Sequence, residues 1–574
     1  MVSAKPHRGP RWLMPVVVAL LIFGIGLRFT HLDQKVYWYD EVSTLLSVSG
    51  NSELDIVQDF ADLTEPVSPD FLQTYQQFKP DSNSQDTIER LIQENPHHPP
   101  LYYLLGRQWG KVFGLTPVSL RGLAVVISLG SFPFAYWLCQ ELFAMPTVSW
   151  MAVALMAISP LHLAYAQEAR QYSLWMTLVL GSSAVFLWAM RCSQSDANQT
   201  RSPLGRVVSL PSLSWGLYSL LLILGFYTQL FFGLVALGHG LYALGRWAGW
   251  VYLPSDPVAP IDSASARPGG RWGYFTASAI ALLAFTPWLW VVFREFQNAD
   301  RLTIWTREYA PTRLGMVKIW LHNLSLSFFD TGLERFSQRL IPAYLAFALL
   351  LFYGVYHLSR KAPTASTLFI LALMGTTALP LFLPDLLLGG RRTIMPRYLL
   401  PFYLSVQITV AYLLGSKIAM MGQQAKSKAW TLATGVLLGA GILSFGAYSQ
   451  ADVWWTKSFN IDNVAVAEII NRSDRPLLIN NGPVPFAISQ TYHLKTETGV
   501  LLEPYCTNCQ QDSEGRGELN IPEISDEIAA QFSDRFLLNS YSSKDWTAQL
   551  AEWSGGTAKL RYQGRVSQLW ELLP

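Results

Sequence analysis

Long apolar stretches separated by short polar ones constrain this chain more than any other feature. A membrane-spanning helix takes about 17–25 predominantly apolar residues. Stretches of that kind lie near 12–30, 117–139, 147–165, 172–190, 213–228, 231–248, 273–293, 340–358, 366–387, 398–415 and 429–448. Of the 574 residues, 51% are hydrophobic and 14% charged, whereas a soluble domain carries about 25% charged residues. A disordered chain, a coiled coil and a basic nucleic-acid binder are excluded, and an ordinary soluble enzyme does not fit. Lys5, Arg8 and Arg11 precede the first stretch, but no small-residue cleavage site follows it, so it reads as an anchor and not a signal peptide. The run from 213 to 246 is too long for one helix and divides at Tyr227-Thr228-Gln229. The expected fold is a polytopic α-helical membrane protein of about eleven spans with a small C-terminal α/β domain outside the cytoplasm.

Charge supports that topology. With the N-terminus inside, the basic groups Arg191, Arg201 and Arg206, then Arg267 and Arg271, then Arg360 and Lys361, then Lys417, Lys426 and Lys428 all fall on the cytoplasmic side, as the positive-inside rule requires. The outer segment 31–98 is long and acidic, and its middle, 51–93, reads as a polar insertion. A second long outer loop spans 294–339. The outer turn 388–397 breaks the pattern with Arg391, Arg392 and Arg397. Residues 1–450 therefore read as the membrane domain and 451–574 as an extracytoplasmic α/β domain. In that tail, 462–472 has helical period, 476–482 and 535–541 read as buried strands, a helix-like run follows 541, and KLRYQGR with VSQLWEL suits a closing hairpin. Cys139 and Cys192 read as packing residues; Cys506 and Cys509 form a lone CTNC, suited to a local disulfide or two free thiols.

Four polar clusters fall on the outer face under this topology. YWYDE (37–41) sets Asp40 and Glu41 behind Tyr37 and Tyr39; such carboxylates suit a general base or a divalent cation, though a solvated acidic loop gives the same pattern. NPHHPPLYYLLG (95–106) sets His97 and His98 in a proline-stiffened turn, suited to hydrogen bonding, metal binding or simple capping. SPLHLAYAQEARQYSL (159–174) places Glu168, Arg170 and Tyr172 where a span ends; ionisable groups at that depth face a cavity or each other. GGRRTIMPRYLLP (389–401) supplies Arg391, Arg392, Arg397 and Tyr398. Guanidinium forks suit phosphate oxygens, either of a specific lipid-linked phosphate or of anionic headgroups in general.

In this order, the Asp-Glu pair, HPPLYYLL, YAQEARxYSL and PRYLLP resemble the C-type glycosyltransferases. Within them the chain is most similar to the protein O-mannosyltransferase and aminoarabinose transferase superfamily (glycosyltransferase family 39 and its bacterial relatives). The resemblance covers about 12–415; the insertion and the tail match no pattern of the family. It implies transfer of a sugar from a polyprenyl-phosphate carrier to a protein, lipid or glycan acceptor outside the cytoplasm, with inversion. Asp40 then maps onto the catalytic base, with Glu41 beside it, and Glu168 onto the second acidic position. Arg170, Arg391, Arg392, Arg397 and Tyr398 would bind the donor phosphate, and Tyr37, Tyr39, His97, His98 and Tyr172 would line the substrate pocket. No cofactor is required by this reading. Asp40, Glu41 and Glu168 are the candidates should a Mg²⁺ or Mn²⁺ ion be used. The implied partners are the lipid-linked donor, membrane lipid and the acceptor, with no nucleic acid, and the setting is a membrane, expected to be a bacterial plasma membrane. A transporter or flippase of lipid-linked sugars is the alternative; many transporters carry internal repeats, and none is evident here.

Overall fold

The structure, a computed structural model, describes residues 10, 12–61, 65–197, 210–249, 269–307, 311–332, 336–419, 426–480, 482–502, 526–540 and 558–573. Seven of its helices are long and apolar enough to cross a membrane, or eight if the bent pair Pro146–Ala157 and Pro160–Ala166 counts as one span. The sequence-based number of about eleven is not reached by this measure. All eleven stretches are helical, but Leu13–Phe29 and Pro211–Phe226 are shorter apolar helices, and Phe232–Trp247 has 16 residues. The stretch near 117–139 extends into one apolar helical segment, Pro117–Phe143. Between 213 and 246 one helix ends at Phe226 and the next begins at Phe232.

The bent pair shapes the C-terminal end of the third apolar stretch. Pro160 lacks an N–H and blocks a continuous helix, and the two halves meet at 58°. Carbonyls left unpaired in an apolar interior need donors. Arg28 supplies them from the first helix: its Nη1 donates to the carbonyl of Ala157 at 2.8 Å and Nη2 to that of Met156 at 3.0 Å. Ser159 caps the second half by accepting from the His162 N–H at 3.4 Å. Gln407 locks the corner, donating to Ser159 Oγ at 3.0 Å and meeting His162 Nε2 at 2.8 Å. The chain beyond is tied by Gln167, which donates to the carbonyls of Leu27, Arg28 and Thr30 at 2.9–3.1 Å.

The polar insertion is built, not loose. It forms the helices Glu53–Ala61, Pro69–Thr74 and Ser84–Glu94, and the buried Arg107 holds it by donating to the carbonyls of Val48 and Ser49 and to Ser82 Oγ. The tail forms a five-stranded sheet with strands β1 (Pro476–Asn480), β2 (Gly499–Leu502), β3 (Asp534–Ser540), β4 (Ala558–Gln563) and β5 (Ser567–Leu572). Their order is β2-β1-β3-β5-β4; β1 runs parallel to both neighbours, and the β4–β5 hairpin is antiparallel. A helix at Asn463–Ile470 precedes β1. The helix-like run after 541 and the CTNC lie outside the described residues. Val67 of the insertion exchanges both backbone hydrogen bonds with Val500 of β2, at 2.8 and 2.9 Å. The insertion thereby covers the outer edge of the sheet, an edge that would otherwise present unpaired backbone groups.

Candidate active site

The helix Tyr39–Ser49 begins at the aromatic cluster. Its first turn carries Asp40 and Glu41, where acidic side chains complement the helix dipole. Neighbouring helical positions point about 100° apart, and the two carboxylates go to different places. Glu41 turns into the core. It accepts from Arg121 through Nε at 2.8 Å and Nη2 at 2.6 Å, from Lys457 at 2.8 Å and from the Ala169 N–H at 3.0 Å. Burial raises its pKa, but Arg121 and Lys457 more than offset this and hold it at about 2. It lines neither of the two cavities found beside this helix, unlike its expected partner Asp40, and it ties the helix Tyr39–Ser49 to the turn after the bent helix and to the start of the tail.

Asp40 faces a cavity of about 720 Å³. Its Oδ2 accepts from Arg397 Nη1 at 2.7 Å. The remaining hydrogen-bonding capacity of this helix turn is met from the other motifs. Arg170 Nη1 donates to the Asp40 carbonyl at 3.3 Å and to Thr44 Oγ1 at 3.1 Å. Its Nη2 lies 3.2 Å from His98 Nε2, and Gln171 Nε2 lies 3.1 Å from His98 Nδ1. A guanidinium only donates, so Nε2 of His98 is the acceptor and does not carry a proton. Burial likewise pushes His98 well below the usual imidazole range and His97 down to about 4. Both rings line the cavity as uncharged groups.

The arginine turn is shaped by Asp385, at the end of helix Thr364–Leu388. Asp385 accepts from Arg392 Nη1 at 2.8 Å and from the N–H and hydroxyl of Thr393 at 2.7 and 2.8 Å. Gly390 has φ +152°, and a Cβ there would clash with Asp385 Oδ1, so only glycine fits. Arg391 does not line the cavity. It stacks on Trp305, with its guanidinium carbon 5.1 Å from the ring centroid, and Arg397 lies 5.8 Å from the same ring. Arg397 and Arg392 do line it, with Tyr398, Tyr172, Tyr39 and Arg170. Tyr37 does not: it is buried, packs edge-on against Tyr492 at 4.6 Å and pairs through its hydroxyl with Gln76 at 2.6 Å, because the tail covers it.

Glu168 faces a separate, smaller pocket of about 40 Å³ with Trp38, Tyr165, Asn323 and Trp455. Arg397 and Phe459 border both spaces. Burial raises Glu168 to about 8, against opposing help from Lys457 and Arg397, and its Oε2 has no hydrogen-bond partner. Asp40, Glu41 and Glu168 therefore do not converge. Among the described residues no group of three or more His, Cys, Asp and Glu is placed to hold a metal ion. Of the three candidates for an ion, Asp40 is paired with Arg397 and Glu41 with Arg121 and Lys457.

Several lining residues escape the sequence motifs. Leu302, Ile304 and Trp305 come from the second outer loop, Leu230 and Phe231 from the break before Phe232, and Leu381 from helix Thr364–Leu388. They line the cavity together with Gln229, Thr303 and Thr306 of the same segments. Phe459 and Pro483 reach the cavity from the tail. The signal for the loop was present as an amphipathic stretch, Phe296–Thr303, that runs into Trp305.

No protein-family model matches the sequence, and no curated protein matches it. Among solved structures the chain is similar to ArnT from Cupriavidus metallidurans bound to undecaprenyl phosphate. The identity is 12%, the match covers 97% of this chain and 98% of that one, and the TM-score is 0.49. It is also similar to the archaeal oligosaccharyltransferase AglB from Archaeoglobus fulgidus, in complex with an inhibitory peptide and a dolichol-phosphate. There the identity is 12%, the coverage 92% of this chain and 69% of that one, and the TM-score 0.48.

Proposed function

We propose that this chain is an integral-membrane glycosyltransferase that moves a sugar from a polyprenyl-phosphate carrier to an acceptor on the extracytoplasmic face, with inversion at the anomeric carbon. The observation that carries the reading is the Asp40–Arg397 pair, held in a cavity lined by both apolar and polar side chains. Among the lining residues, Leu230, Phe231, Leu302, Ile304 and Leu381 suit an isoprenoid chain, and Arg392 and Arg397 suit the phosphate.

In this reading Arg397 binds one phosphate oxygen through Nε, which has no acceptor in the protein, while Nη1 holds Asp40. Asp40 takes the proton from the acceptor hydroxyl or amine as that atom bonds to the anomeric carbon. The bond from that carbon to the phosphate oxygen breaks, its electron pair goes to the phosphate, and the arginines stabilise the growing negative charge. The products are the glycosylated acceptor and polyprenyl phosphate, with the proton on Asp40. Thr44 and the Glu41–Arg121–Lys457 cluster fix the turn that presents Asp40 and position the base; Arg170 holds the same turn and also lines the cavity, where it can meet the donor phosphate. The acceptor enters beneath the tail, past Phe459 and Pro483, and the tail is an extracytoplasmic domain that closes the site.

The test is release of radiolabelled sugar by the purified protein from a panel of polyprenyl-phosphate sugars, to water or to an added acceptor. Release from one donor supports a transferase. Movement of intact donor across vesicle membranes with no release would replace it with a flippase.

A further inference from the structure

The helix that carries Asp40 is capped from outside itself. The first N–H groups of a helix find no partner within it, and a side-chain oxygen at the preceding position often serves them. Here that position is Trp38, whose side chain makes no capping hydrogen bond. The tail supplies the acceptor instead, across 421 residues of sequence: Asn460 Oδ1 accepts from the Tyr39 N–H at 2.8 Å. Asn460 is fully buried, and its amide is fixed from the other end. Its Nδ2 donates to Ser489 Oγ at 3.0 Å, and Ser489 in turn donates to the carbonyl of Tyr37.

The segment around Asn460 is itself fastened. Two residues on, Asp462 accepts from the N–H groups of Val566 and Ser567 at 2.8 and 3.0 Å and from the Tyr562 hydroxyl at 3.1 Å, so the β4–β5 hairpin clamps it. A Cβ at Gly564 in that hairpin would clash with the Asp462 carboxylate. The same segment carries Lys457, bound to Glu41 at 2.8 Å, and Phe459, which lines the cavity. Helix ends fray, and Asp40 is the second residue of its helix. A base must come within about 2.6–3.2 Å of the proton it takes, and a misplacement of about 1 Å can cost about 100-fold in rate.

We propose that Asn460 is a positioning residue for the transfer reaction: by capping helix Tyr39–Ser49 from the tail it fixes where Asp40 stands, and through Asp462 it makes the β4–β5 hairpin part of that support. The inference rests on the transferase reading and gives the tail a task within it. Asn460 touches no substrate and acts through the backbone of Tyr39.

The experiment uses the full chain in lipid nanodiscs, with polyprenyl phosphate as the binding probe and the panel of radiolabelled polyprenyl-phosphate sugars for single-turnover release. Asn460→Leu keeps the bulk and removes the acceptor; it should lower the rate by about 10- to 100-fold and leave the affinity for polyprenyl phosphate unchanged, which also shows that the variant is folded. Asn460→Asp keeps an oxygen for the Tyr39 N–H and should recover most of the rate, because aspartate caps a helix about as well as asparagine. A wild-type rate in Asn460→Leu would overturn the proposal. So would an equal loss in Asn460→Asp, or a loss of polyprenyl phosphate binding in step with the rate, since either marks a packing role. If wild type releases no sugar from any donor, the transferase reading falls and this proposal with it.

Discussion

Arg397 donates through Nη1 to Asp40 Oδ2 at 2.7 Å, across 357 residues of sequence. The contact joins the first outer segment to the last arginine-bearing turn. It leaves Nε of the same guanidinium without an acceptor in the protein, while Trp305 and Tyr398 lie against the guanidinium at 5.8 and 5.4 Å from their ring centroids. Arg397→Ala should raise the apparent KM for donor by about 10- to 100-fold, as loss of a charge-assisted hydrogen bond to phosphate implies. Arg397→Lys should fall between, because an ammonium cannot hold Asp40 and a phosphate in one plane. Steady-state kinetics with varied donor checks this; an unchanged KM in Arg397→Ala removes the phosphate role.

Glu41 is predicted to matter for stability and not for the chemical step. Glu41→Gln would leave Arg121 and Lys457 buried with one neutral partner, and breaking such a buried pair costs about 3–5 kcal/mol. Thermal unfolding in detergent should show a lower midpoint, and the double variant Glu41→Gln/Lys457→Met should recover part of the loss. Glu41 sits at about 2 in the folded chain against an ordinary value of 4.5. Its stabilising contribution is therefore present above about pH 4.5 and is lost as pH falls towards 2. A Glu41→Gln protein with a normal midpoint but no turnover would instead place Glu41 in the chemistry.

Glu168 gives the opposite pH sign. Burial raises it to about 8 from 4.5, and the charges around it are Lys457, Glu41, Asp40 and Arg397. A folded-state pKa above the unfolded one favours the folded chain below pH 4.5, and that advantage is lost as pH rises through about 8. Wild type should lose stability between those values, and Glu168→Gln should be flatter over the same range. Unfolding midpoints at several pH values for both proteins check this; parallel curves would contradict the assignment of Glu168 as a protonated, buried acid.

Much of this arrangement could be read from the sequence, for a physical reason. Apolar runs long enough to span a bilayer must be helical, since no other open structure satisfies the backbone in lipid, and the four polar clusters at or between their ends had few places to go. Residues from all four clusters line one cavity directly, although Glu168 of the YAQEAR cluster borders the adjoining pocket instead. Asp40 and Glu41 could not be told apart, because their roles are set by Arg397 on one side and by Arg121 and Lys457 on the other, all distant in sequence. Lys457 sits in WWTKSFN and carries no motif; only the fold brings it to Glu41. Tyr37 looked like a pocket residue because it flanks Asp40, and the tail that buries it through Tyr492 shows no recognisable signature. The cations paired with Asp40 and Glu41 also explain why a string of acidic residues that suited a metal on paper is not drawn together in space.

In the proposed mechanism Asp40 accepts the proton of the acceptor during sugar transfer. Asn has nearly the same shape and can still accept from Arg397, so Asp40→Asn removes the base while keeping the contact. The decisive experiment is single-turnover transfer from a radiolabelled polyprenyl-phosphate sugar, in wild type and Asp40→Asn reconstituted at equal levels with equal donor binding. The expected result is a loss of about 10²–10⁴-fold in rate with donor affinity little changed. Transfer at the wild-type rate in Asp40→Asn would show that Asp40 is not the base.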